Sequence, residues 1–450
     1  MTRGENLFNQ IMFPYGYYCF LLLLLALLTS EAAAATNNFH TIPLTSLLPQ
    51  SQQSNCNGRS PSHGPDSGPG RVASPLNPSQ SQQHGQWPQP GGRGATDLPA
   101  HSGLSLSTLN YVVNVSIGSP AKTLSLVFDT GSDITWTQCR PCVKECYRQS
   151  FPIFDPWYSK TYSNVSCSSP LCSALVPFKG NCSSATCVYE IRYGDGSYTV
   201  GYFAKERLSL TSSSSLSDTF DSFFFGCGQR NHGLLGLASG LLGLSPGKFS
   251  VVSQTAKRYD RIFSYCLPTP GGKGGYLEFG NRGGINNNKL IRFTPLTEMK
   301  NDASFYYTQL QSISVGGERL QIKPAVFSNA GTIIDSGTVI TRLPPDAYKA
   351  LKSAFAGQMM KKHYTKAQNF SLFDTCFDFS RIGSGFHFRG NVTVEIPSTG
   401  ILIALDQKFA QVCLAFAGNE NPADVGIFGN TQQQTLDVVY DVKNWRLGFG

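Results

Sequence analysis

The sequence LVFDTGSDITW at residues 126–136 recurs in altered form as TIIDSGTVITRL at residues 332–343. In each copy an apolar run ends in an aspartate, which is followed by a small hydroxyl residue, a glycine and a second hydroxyl residue. A carboxylate placed directly after buried apolar residues is costly unless it gains hydrogen-bond partners. Because the same frame occurs in both halves of the chain, the repeat predicts that Asp129 and Asp335 meet in one site.

The residues that follow each aspartate suit a site built on two carboxylates. Gly131 and Gly337 allow tight loops that present backbone N–H groups to the carboxylates. In each frame the first hydroxyl residue can tie one loop to the other, and the second can donate a hydrogen bond to the outer carboxylate oxygen. These hydroxyl residues are Thr130, Ser132, Ser336 and Thr338.

Two carboxylates that lie within a few ångströms of each other cannot both ionise easily. Repulsion between like charges raises one pKa, so the pair holds a single proton over a wide acidic range. One carboxylate can then deprotonate a water molecule while the other donates a proton to a carbonyl oxygen. The pair therefore predicts attack of water on a substrate carbonyl through a tetrahedral diol, with no metal and no cofactor.

A second repeated pattern follows the aspartate frames. GLLGL at 240–244 comes after the first frame, and GIFGN at 426–430 comes after the second. Each half thus contains an aspartate strand and a later apolar strand that ends near a glycine. This arrangement indicates an internal duplication on the scale of a lobe, which is too long for a solenoid repeat.

Length and composition agree with two lobes rich in β-structure. A chain of 450 residues exceeds one ordinary hydrophobic core. Charged residues make up only 14%, while 45 glycines, 19 tyrosines and 30 phenylalanines favour sheets and turns over long helices. The predicted fold class is all-β with few short helices. The clearest helix is predicted at 344–363, where apolar residues recur at helical spacing.

The first 105 residues resemble targeting and leader sequence. Residues 13–35 join a Leu-rich run, too short to span a bilayer, to small residues that suit cleavage, which predicts a signal peptide at 1–35. A transit peptide is the alternative, although it should be richer in Arg and Ser. Residues 36–105 are rich in Gln, Ser, Pro and Gly and predict a propeptide, with a permanent flexible arm as the alternative. Secretion to the apoplast is expected, and the vacuole or chloroplast is the other possible destination.

The 13 cysteines predict disulfides, because an export signal implies an oxidising compartment. Cys19 lies in the signal and Cys56 in the leader. Seven others crowd into residues 139–187 with a spacing that could bind a metal, but no histidine occurs there. Disulfides are therefore favoured over a metal site, with their connectivity left open. The cysteines expected in disulfides are Cys139, Cys142, Cys146, Cys167, Cys172, Cys182, Cys187, Cys227, Cys376 and Cys413.

The surface offers two further signals. In an exported chain, Asn-x-Ser/Thr sequons are candidates for glycosylation. They occur at Asn114, Asn164, Asn181, Asn369 and Asn391. The net charge of +8 could attract polyanions, but it is more typical of a solvated surface. Binding of nucleic acid is therefore not expected, although a protease that also binds polyanions stays an alternative.

Residues 187–210 predict a β-hairpin. Strand-like sequence flanks a Gly-Asp-Gly-Ser turn at 194–197. Tyr193 and Gly194 stand at its tip. Asp195 fits turn chemistry better than catalysis.

Together these motifs resemble the pepsin-type aspartic proteases, and in particular the nepenthesin-like branch of plants. The resemblance rests on Asp-Thr-Gly-Ser at 129–132 followed by Trp136, on Tyr-Gly-Asp-Gly-Ser at 193–197 and on Asp-Ser-Gly-Thr at 335–338. It extends from about residue 97 to the end of the chain. Its further motifs are FGCG at 225–228, FSYCL at 263–267, TRLP at 341–344, DTCFD at 374–378, VCLAFAG at 412–418 and GNTQQQTLDVVYD at 429–441.

The resemblance implies a bilobal all-β fold, in which two related β-barrel-like lobes flank a cleft that binds an extended peptide. The implied divisions are an N-terminal lobe at 106–281, a linker at 282–303 and a C-terminal lobe at 304–450. Asp129 and Asp335 would form the catalytic pair of a monomeric enzyme. Tyr193 would lie on a flap over the substrate, with Trp136 placed to hydrogen-bond it. Some relatives are chloroplast nucleoid proteases, which keeps that location open.

The sequence departs from the family in two places. Relatives usually carry a cysteine a few residues beyond the last strand, whereas this sequence stops at Gly450. This departure predicts that the thiol of Cys266 has no partner. The segment between Cys376 and Cys413 is also shorter and less regular than the usual series of strands.

Two other classes of function fit the sequence less well. A serine or cysteine protease would need a nucleophile with a histidine partner at recognisable spacing, and none is present. Non-proteolytic binders, such as the xylanase-inhibitor relatives, share the fold but typically lose one aspartate or disrupt the flap. Both aspartate frames and the flap motif are intact here. The expected function is an aspartic endopeptidase, and a catalytically weak or inactive binding protein is the alternative.

Overall fold

The computed structural model describes residue 56 and residues 94–233, 235–269, 272, 274–281, 291–299, 302–361, 366–377, 384–390, 392–404 and 412–450. The predicted signal peptide and most of the predicted leader lie outside these residues. In the described part of the chain, no helix is both long and apolar enough to cross a bilayer.

The first half consists of twelve described strands and three short helices. The strands are β1 (Thr96–Ser102), β2 (Tyr111–Ile117), β3 (Lys122–Asp129), β4 (Trp136–Gln138), β5 (Ser163–Asn164), β6 (Lys179–Ser183), β7 (Thr186–Arg192), β8 (Tyr198–Thr211), β9 (Ser217–His232), β10 (Gly240–Gly243), β11 (Ile262–Cys266) and β12 (Tyr276–Phe279). The helices are α1 (Pro170–Ser173), α2 (Val251–Gln254) and α3 (Ala256–Tyr259).

The second half continues with strands of two to seven residues and with the longest described helix. The strands are β13 (Arg292–Pro295), β14 (Thr297–Met299), β15 (Asp302–Thr308), β16 (Leu310–Val315), β17 (Glu318–Arg319), β18 (Thr332–Ile334), β19 (Thr341–Leu343), β20 (Lys366–Ala367), β21 (Cys376–Phe377), β22 (Ser384–Phe388), β23 (Val392–Ile396), β24 (Leu402–Ala404), β25 (Val412–Leu414), β26 (Phe416–Gly418), β27 (Gly426–Phe428), β28 (Asp437–Asp441) and β29 (Arg446–Phe449). The helices are α4 (Ala325–Ser328), α5 (Pro345–Lys361) and α6 (Ser398–Ile401).

The two halves repeat the same strand arrangement around their aspartates. In the first half, β10 runs parallel to β3 and antiparallel to β4, which in turn runs parallel to β9. In the second half, β27 runs parallel to β18 and antiparallel to β19, which runs parallel to β26. The later apolar strands predicted from GLLGL and GIFGN therefore pair directly with the aspartate strands. The lobe-scale duplication and the all-β fold are confirmed.

One sheet joins the two halves. Strands β13, β29 and β28 form one end of a 15-stranded sheet, which continues through β11, β12 and β1 to the other strands of the first half. The junction is the antiparallel pair β11 and β28, which runs from Ile262 opposite Asp441 to Cys266 opposite Asp437. Because backbone hydrogen bonds cross from one half to the other, the loops that carry the two aspartates have a common support.

Strand β3 explains why an apolar run precedes Asp129. Leu126 and Phe128 pack into one large apolar cluster, whereas Val127 packs into another that also contains Trp136. Since successive side chains of a strand point to opposite faces, β3 is buried on both sides. A strand in this position reads as a continuous apolar run rather than an alternating one.

The longest helix is confirmed close to its predicted position at 344–363. Helix α5 covers Pro345–Lys361, with Asp346 in its first turn. Its buried side chains recur at intervals of three or four residues, among them Leu351, Phe355 and Met359. This spacing places them on one face of the helix, which packs against the second half.

Two segments that were predicted to lie outside the lobes contain strands. Residues 96–102, which were assigned to the leader, form β1 and pair with both β2 and β12. Residues 292–299, which were assigned to a linker, include β13 and β14, of which β13 pairs with the last strand of the chain. These segments fold because partner strands far away in sequence cover them, and local composition does not reveal such partners.

Twelve cysteines form six disulfides in the described residues. The expectation that Cys266 lacks a partner is wrong, because Cys266 is bonded to Cys56 of the predicted leader. Two small cross-links stabilise the region that follows β5, and another closes the loop at Cys142. The remaining pairs are Cys139–Cys227, Cys142–Cys146, Cys167–Cys182, Cys172–Cys187 and Cys376–Cys413.

Three of the predicted glycosylation sites are exposed. Asn114 on β2, Asn164 on β5 and Asn369 all face solvent. Asn181 lies within β6, and Asn391 lies outside the described residues. Glycosylation at these positions stays a prediction.

Candidate active site

The two aspartates lie where neighbouring backbone strands fix their main chains. Asp129 is the last residue of β3, and the N–H of Leu244 donates to its carbonyl oxygen at 2.9 Å. Asp335 follows β18 directly, and its own N–H donates to the carbonyl oxygen of Phe428 at 3.2 Å. The main chain of each aspartate is therefore bonded to the later apolar segment of its own half, GLLGL for Asp129 and GIFGN for Asp335.

Four hydrogen bonds connect the two aspartate loops. The N–H of Thr130 donates to the hydroxyl of Ser336 at 3.1 Å, and the N–H of Ser336 donates to the hydroxyl of Thr130 at 3.0 Å. The same hydroxyls donate onward, that of Thr130 to the carbonyl of Ile334 and that of Ser336 to the carbonyl of Phe128, each at 3.0 Å. Both side chains are fully buried. The loops are thereby fixed to each other with twofold pseudosymmetry.

The glycines bring each carboxylate against the opposite loop. The N–H of Gly131 donates to Oδ1 of Asp129, and the N–H of Gly337 donates to Oδ1 of Asp335, both at 2.8 Å. A Cβ on Gly131 would lie 2.9 Å from the carboxyl of Asp335, and a Cβ on Gly337 would lie 2.2 Å from Oδ1 of Asp129. No other residue leaves room for this approach. The frame therefore needs glycine for space as well as for the turn.

The outer hydroxyl residues behave differently in the two loops. The hydroxyl of Thr338 donates to Oδ2 of Asp335 at 2.6 Å, as the sequence predicts. Ser132 is buried and lowers the pKa of Asp129, yet among the described residues its hydroxyl makes no hydrogen bond of ordinary geometry. The outer oxygen of Asp129 is therefore less firmly held than that of Asp335.

The two carboxyls form one titrating pair. Asp129 is 6% exposed and Asp335 is 7% exposed. Burial, then the charge of Asp335 and a hydrogen bond with it, raise the pKa of Asp129 well above its ordinary value. A proton shared between the two groups relieves both the burial and the repulsion. The site can thus offer an acid and a base at the same time.

The predicted hairpin is present, and its Tyr193 lies close enough to Asp129 to feel the charge of that carboxyl. Strands β7 and β8 are joined by a tight turn, in which the N–H of Tyr193 donates to the carbonyl of Ser197 at 2.8 Å. Gly196 has a φ of +86°, which the turn requires. The carboxylate of Asp195 accepts from both the N–H and the hydroxyl of Ser197 at 2.8 Å, in agreement with a turn role. Gly194 is exposed at the tip.

The flap tyrosine is anchored from beneath. The indole Nε1 of Trp136, a residue 1% exposed on β4, donates to the hydroxyl of Tyr193 at 2.7 Å. Burial, and then the charge of Asp129, raise the pKa of Tyr193 well above its usual value. Tyr193 is therefore a neutral hydroxyl close to the aspartate pair, oriented by the indole.

Trp136→Phe is expected to loosen the flap. The change keeps an aromatic ring on β4 but removes the donor to Tyr193, so kcat/KM should fall about 3- to 10-fold, as the loss of one hydrogen bond implies. Steady-state assays at acidic pH would measure the effect. Trp157→Phe is the matched control, because Trp157 is 88% exposed. Equal effects of the two substitutions would contradict an anchoring role.

Known sequences place the chain in a family. Family models described as the xylanase inhibitor N-terminal and C-terminal domains match residues 111–281 and 305–450. The Arabidopsis thaliana protein named aspartyl protease AED1 is 48% identical over 363 residues, which cover 79% of this chain and 74% of that protein. The chain belongs to the pepsin-like aspartyl protease family of plants. Another member, aspartic proteinase nepenthesin-1 of Nepenthes gracilis, is 37% identical over 360 residues, covering 75% of this chain and 77% of that protein.

Solved structures share the fold of this plant aspartyl protease. The basic 7S globulin from soybean matches with a TM-score of 0.64 and 21% identity, over 80% of this chain and 97% of that one. An aspartic proteinase from Irpex lacteus matches with a TM-score of 0.56 and 21% identity, over 79% and 97% of the two chains. These likenesses show the bilobal all-β fold.

Two kinds of buried residue that contact the aspartate loops were not predicted from the sequence. The buried amides of Asn430 and Gln433 donate to backbone carbonyls of the second aspartate loop. Their signal was available in GNTQQQ, a run of amide residues directly after a buried apolar strand. Asp133, four residues after Asp129, is the other case. Its carboxylate accepts from the N–H of Phe249 at 3.1 Å and ties the first aspartate loop to the segment before α2.

Asp133 predicts that the protease is more stable in acid. Burial raises the pKa of Asp133 from 3.8 to about 6, and the residue is 9% exposed. Ionisation is therefore penalised in the folded state and not in the unfolded chain. The penalty is absent below pH 3.8 and reaches about 3 kcal/mol of unfolding free energy once the pH exceeds 6.

Asp133→Asn should remove that part of the pH dependence, since the amide oxygen can still accept from the N–H of Phe249. The unfolding free energy, measured by denaturant titration at pH 4 and pH 7, should then change less between the two pH values than in the wild type. Asp424→Asn, on an exposed loop, serves as the control. An unchanged difference between pH 4 and pH 7 would show that Asp133 is not the group responsible.

Proposed function

We propose that this chain is an aspartic endopeptidase that hydrolyses peptide bonds at acidic pH. The observation that carries the proposal is the pair of buried carboxyls, Asp129 and Asp335, each of which lies against the glycine of the opposite loop where hydrogen bonds join the two loops. Membership of a family whose named relatives are aspartyl proteases supports it.

The proposed reaction uses the single proton of the pair. The ionised carboxyl takes a proton from a water molecule as the water oxygen bonds to the peptide carbonyl carbon, and the protonated carboxyl donates to the carbonyl oxygen. The resulting diol collapses when the C–N bond breaks: the carboxyl that took a proton from water gives it to the leaving nitrogen, and a diol hydroxyl returns a proton to the other carboxyl, which restores the pair. Thr130, Ser336 and the two loop glycines keep the carboxyls in place, so little reorganisation is needed during the reaction.

The flap completes the proposed site. Tyr193, oriented by Trp136, closes over an extended peptide and helps to exclude water from the reacting carbonyl. Gly194, at the exposed tip, lets the flap backbone come close to the peptide. The peptide is assigned to the cleft between the lobes at about 106–281 and 304–450, to which strands β1, β13 and β14 are added.

Targeting and processing complete the proposal. The segment at 13–35 directs export, and the low-complexity leader acts as a propeptide up to the start of β1. The protein acts as a monomer and needs neither metal nor cofactor. Among the described residues, no group of three or more His, Cys, Asp or Glu side chains is arranged to hold a metal ion.

A binding protein without peptidase activity is the second candidate. One observation favours it, since both matching family models are described from xylanase inhibitors. The intact pair of carboxyls and the intact flap speak for catalysis, because a binding role requires neither.

The test is cleavage of a denatured protein by the purified enzyme between pH 2 and 7, with products identified by mass spectrometry. We expect internal cleavage in acid that a statine-type transition-state mimic blocks. Tight binding of a xylanase without any peptide cleavage would favour the inhibitor role instead.

A further inference from the structure

The supports beneath the two aspartates are not equivalent. In the first half, the backbone N–H of Leu244 donates to the carbonyl oxygen of Asp129. In the second half, the carbonyl oxygen of Asp335 accepts from a side chain, the Nε2 amide of Gln433, at 3.2 Å. The duplicated frame changes after Gly429, where the chain enters a 3-10 turn that begins at Asn430. A side-chain amide thus takes the place that a backbone donor holds in the first half.

Gln433 is built into this position on all sides. It is 0% exposed, and its Nε2 also donates to the carbonyl of Phe428 at 2.7 Å. Phe428 is the residue whose carbonyl accepts the N–H of Asp335 itself. The amide of Gln433 therefore donates both to the carbonyl of Asp335 and to the carbonyl that accepts the N–H of Asp335. It thereby fixes the backbone of Asp335 on both sides.

The other end of the amide reaches the first half of the chain. The hydroxyl of Tyr265, on β11, donates to Oε1 of Gln433. The same hydroxyl lies 3.2 Å from that of Tyr440 on β28. Hydrogen bonds thus connect Asp335 through Gln433 to Tyr265, on the sheet that joins the two halves.

We infer that Gln433 is a positioning residue for the aspartate pair, and that it sets the register of Asp335 against Asp129 through Tyr265. The inference rests on the proposed peptidase function. Because the amide has no ionisable group, it can fix the carbonyl of Asp335 without adding charge beneath the pair. A carboxylate in its place would add negative charge that disfavours the ionised member of the pair, and an apolar residue would leave buried carbonyls without a donor.

The physical consequence concerns alignment rather than binding. A displacement of about 1 Å in a catalytic group can lower the rate by about 100-fold. Loss of the amide should therefore reduce kcat more than it raises KM. It should also shift the acidic limb of the pH profile, since the distance between the carboxyls determines how strongly the pair shares its proton.

The test compares Gln433→Met with Gln432→Met. Gln432 is a matched control because it is also 0% exposed and its amide bonds no atom of either aspartate: it donates to the carbonyls of Gly400 at 2.6 Å and Ala415 at 2.9 Å and accepts from the N–H of Thr341 at 3.2 Å. We expect Gln433→Met to lower kcat about 10- to 100-fold with KM within about 3-fold, and to shift the pH profile. Gln432→Met should lower the melting temperature but leave kcat per folded molecule and the pH profile unchanged.

Tyr265→Phe provides a second variant that does not depend on burying a new side chain. It removes only the hydroxyl that orients Gln433 and should reproduce the pH shift with a smaller loss of kcat. The double variant Tyr265→Phe with Gln433→Met should lose less than the product of the two single losses, because both act through one contact.

The outcomes separate this inference from the proposed function. A wild-type enzyme that cleaves peptides, together with an unchanged kcat and pH profile for Tyr265→Phe and for folded Gln433→Met, would overturn the inference alone. Equal losses of kcat in the Gln432 and Gln433 variants would also overturn it, because the loss would then follow from removing any buried amide and not from losing the contact with Asp335. A wild-type protein that cleaves nothing would overturn the proposed function, and the inference with it.

Discussion

Asp129→Asn is expected to lower kcat/KM for peptide hydrolysis by about 1,000-fold or more, the order of effect that loss of acid and base catalysis produces. The amide cannot share a titrating proton with Asp335, so the site loses either its base or its acid. Assays of the purified variant at its acidic optimum would measure the loss. Asp335→Asn should also lower kcat/KM strongly, since the pair needs both carboxyls and each accepts from the N–H of its own loop glycine.

Asp129→Asn should also stabilise the fold at neutral pH. Burial and the charge of Asp335 raise the pKa of Asp129, so ionising both carboxyls is costly in the folded state. An asparagine removes one of these charges. Lower activity combined with a higher melting temperature at pH 7 would exclude misfolding as the cause. Full activity in either asparagine variant would contradict the proposed mechanism.

Gly337→Ala should disable the enzyme by displacing the opposite carboxyl. The new Cβ would lie 2.2 Å from Oδ1 and 2.5 Å from Cγ of Asp129, which is closer than real contacts allow. The loops cannot easily separate, because the bonds between Thr130 and Ser336 lace them together. Asp129 must therefore move, and kcat should fall about 100-fold.

The matched control for this prediction is Gly357→Ala in helix α5, where a Cβ would meet nothing within 4 Å. Alanine also favours a helix over glycine, so the control should be as stable as the wild type or more stable. Crystallography or inhibitor titration of Gly337→Ala would reveal the displaced carboxyl. A Gly337→Ala enzyme with wild-type kcat would show that the aspartates do not need the close approach seen here.

The sequence revealed the site more completely than the fold. The apolar run before Asp129, the repeated glycines and the second apolar strands are local patterns, and each has a direct structural cause. Helix α5 and the flap hairpin were predictable for the same reason, since periodicity and turn residues determine them.

Features that depend on distant parts of the chain were not predictable. Strand β1 pairs with β12, about 180 positions later, and its sequence resembles the leader that precedes it. The partner of Cys266 lies 210 positions away at Cys56, within sequence that carries no strand pattern. No alternation or spacing encodes such pairings, because their partners are chosen by the assembled sheet.

Buried polar residues were the other source of error. Gln433 and Asp133 read as ordinary surface residues by type, yet each is buried with its hydrogen bonds directed at a catalytic loop. Ser132 was expected to hold Asp129 by analogy with Thr338, but the two loops differ at this position. The duplication predicts the shared frame of the loops and not their individual supports.

The dependence of kcat/KM on pH, measured between pH 2 and 7 with one defined peptide, tests the shared proton most directly. We expect a bell-shaped profile with its maximum in acid, because activity requires one carboxyl ionised and the other protonated. Substitution of either aspartate by asparagine should abolish the profile. A rate that is flat across this range, or that rises steadily toward pH 7, would contradict the account.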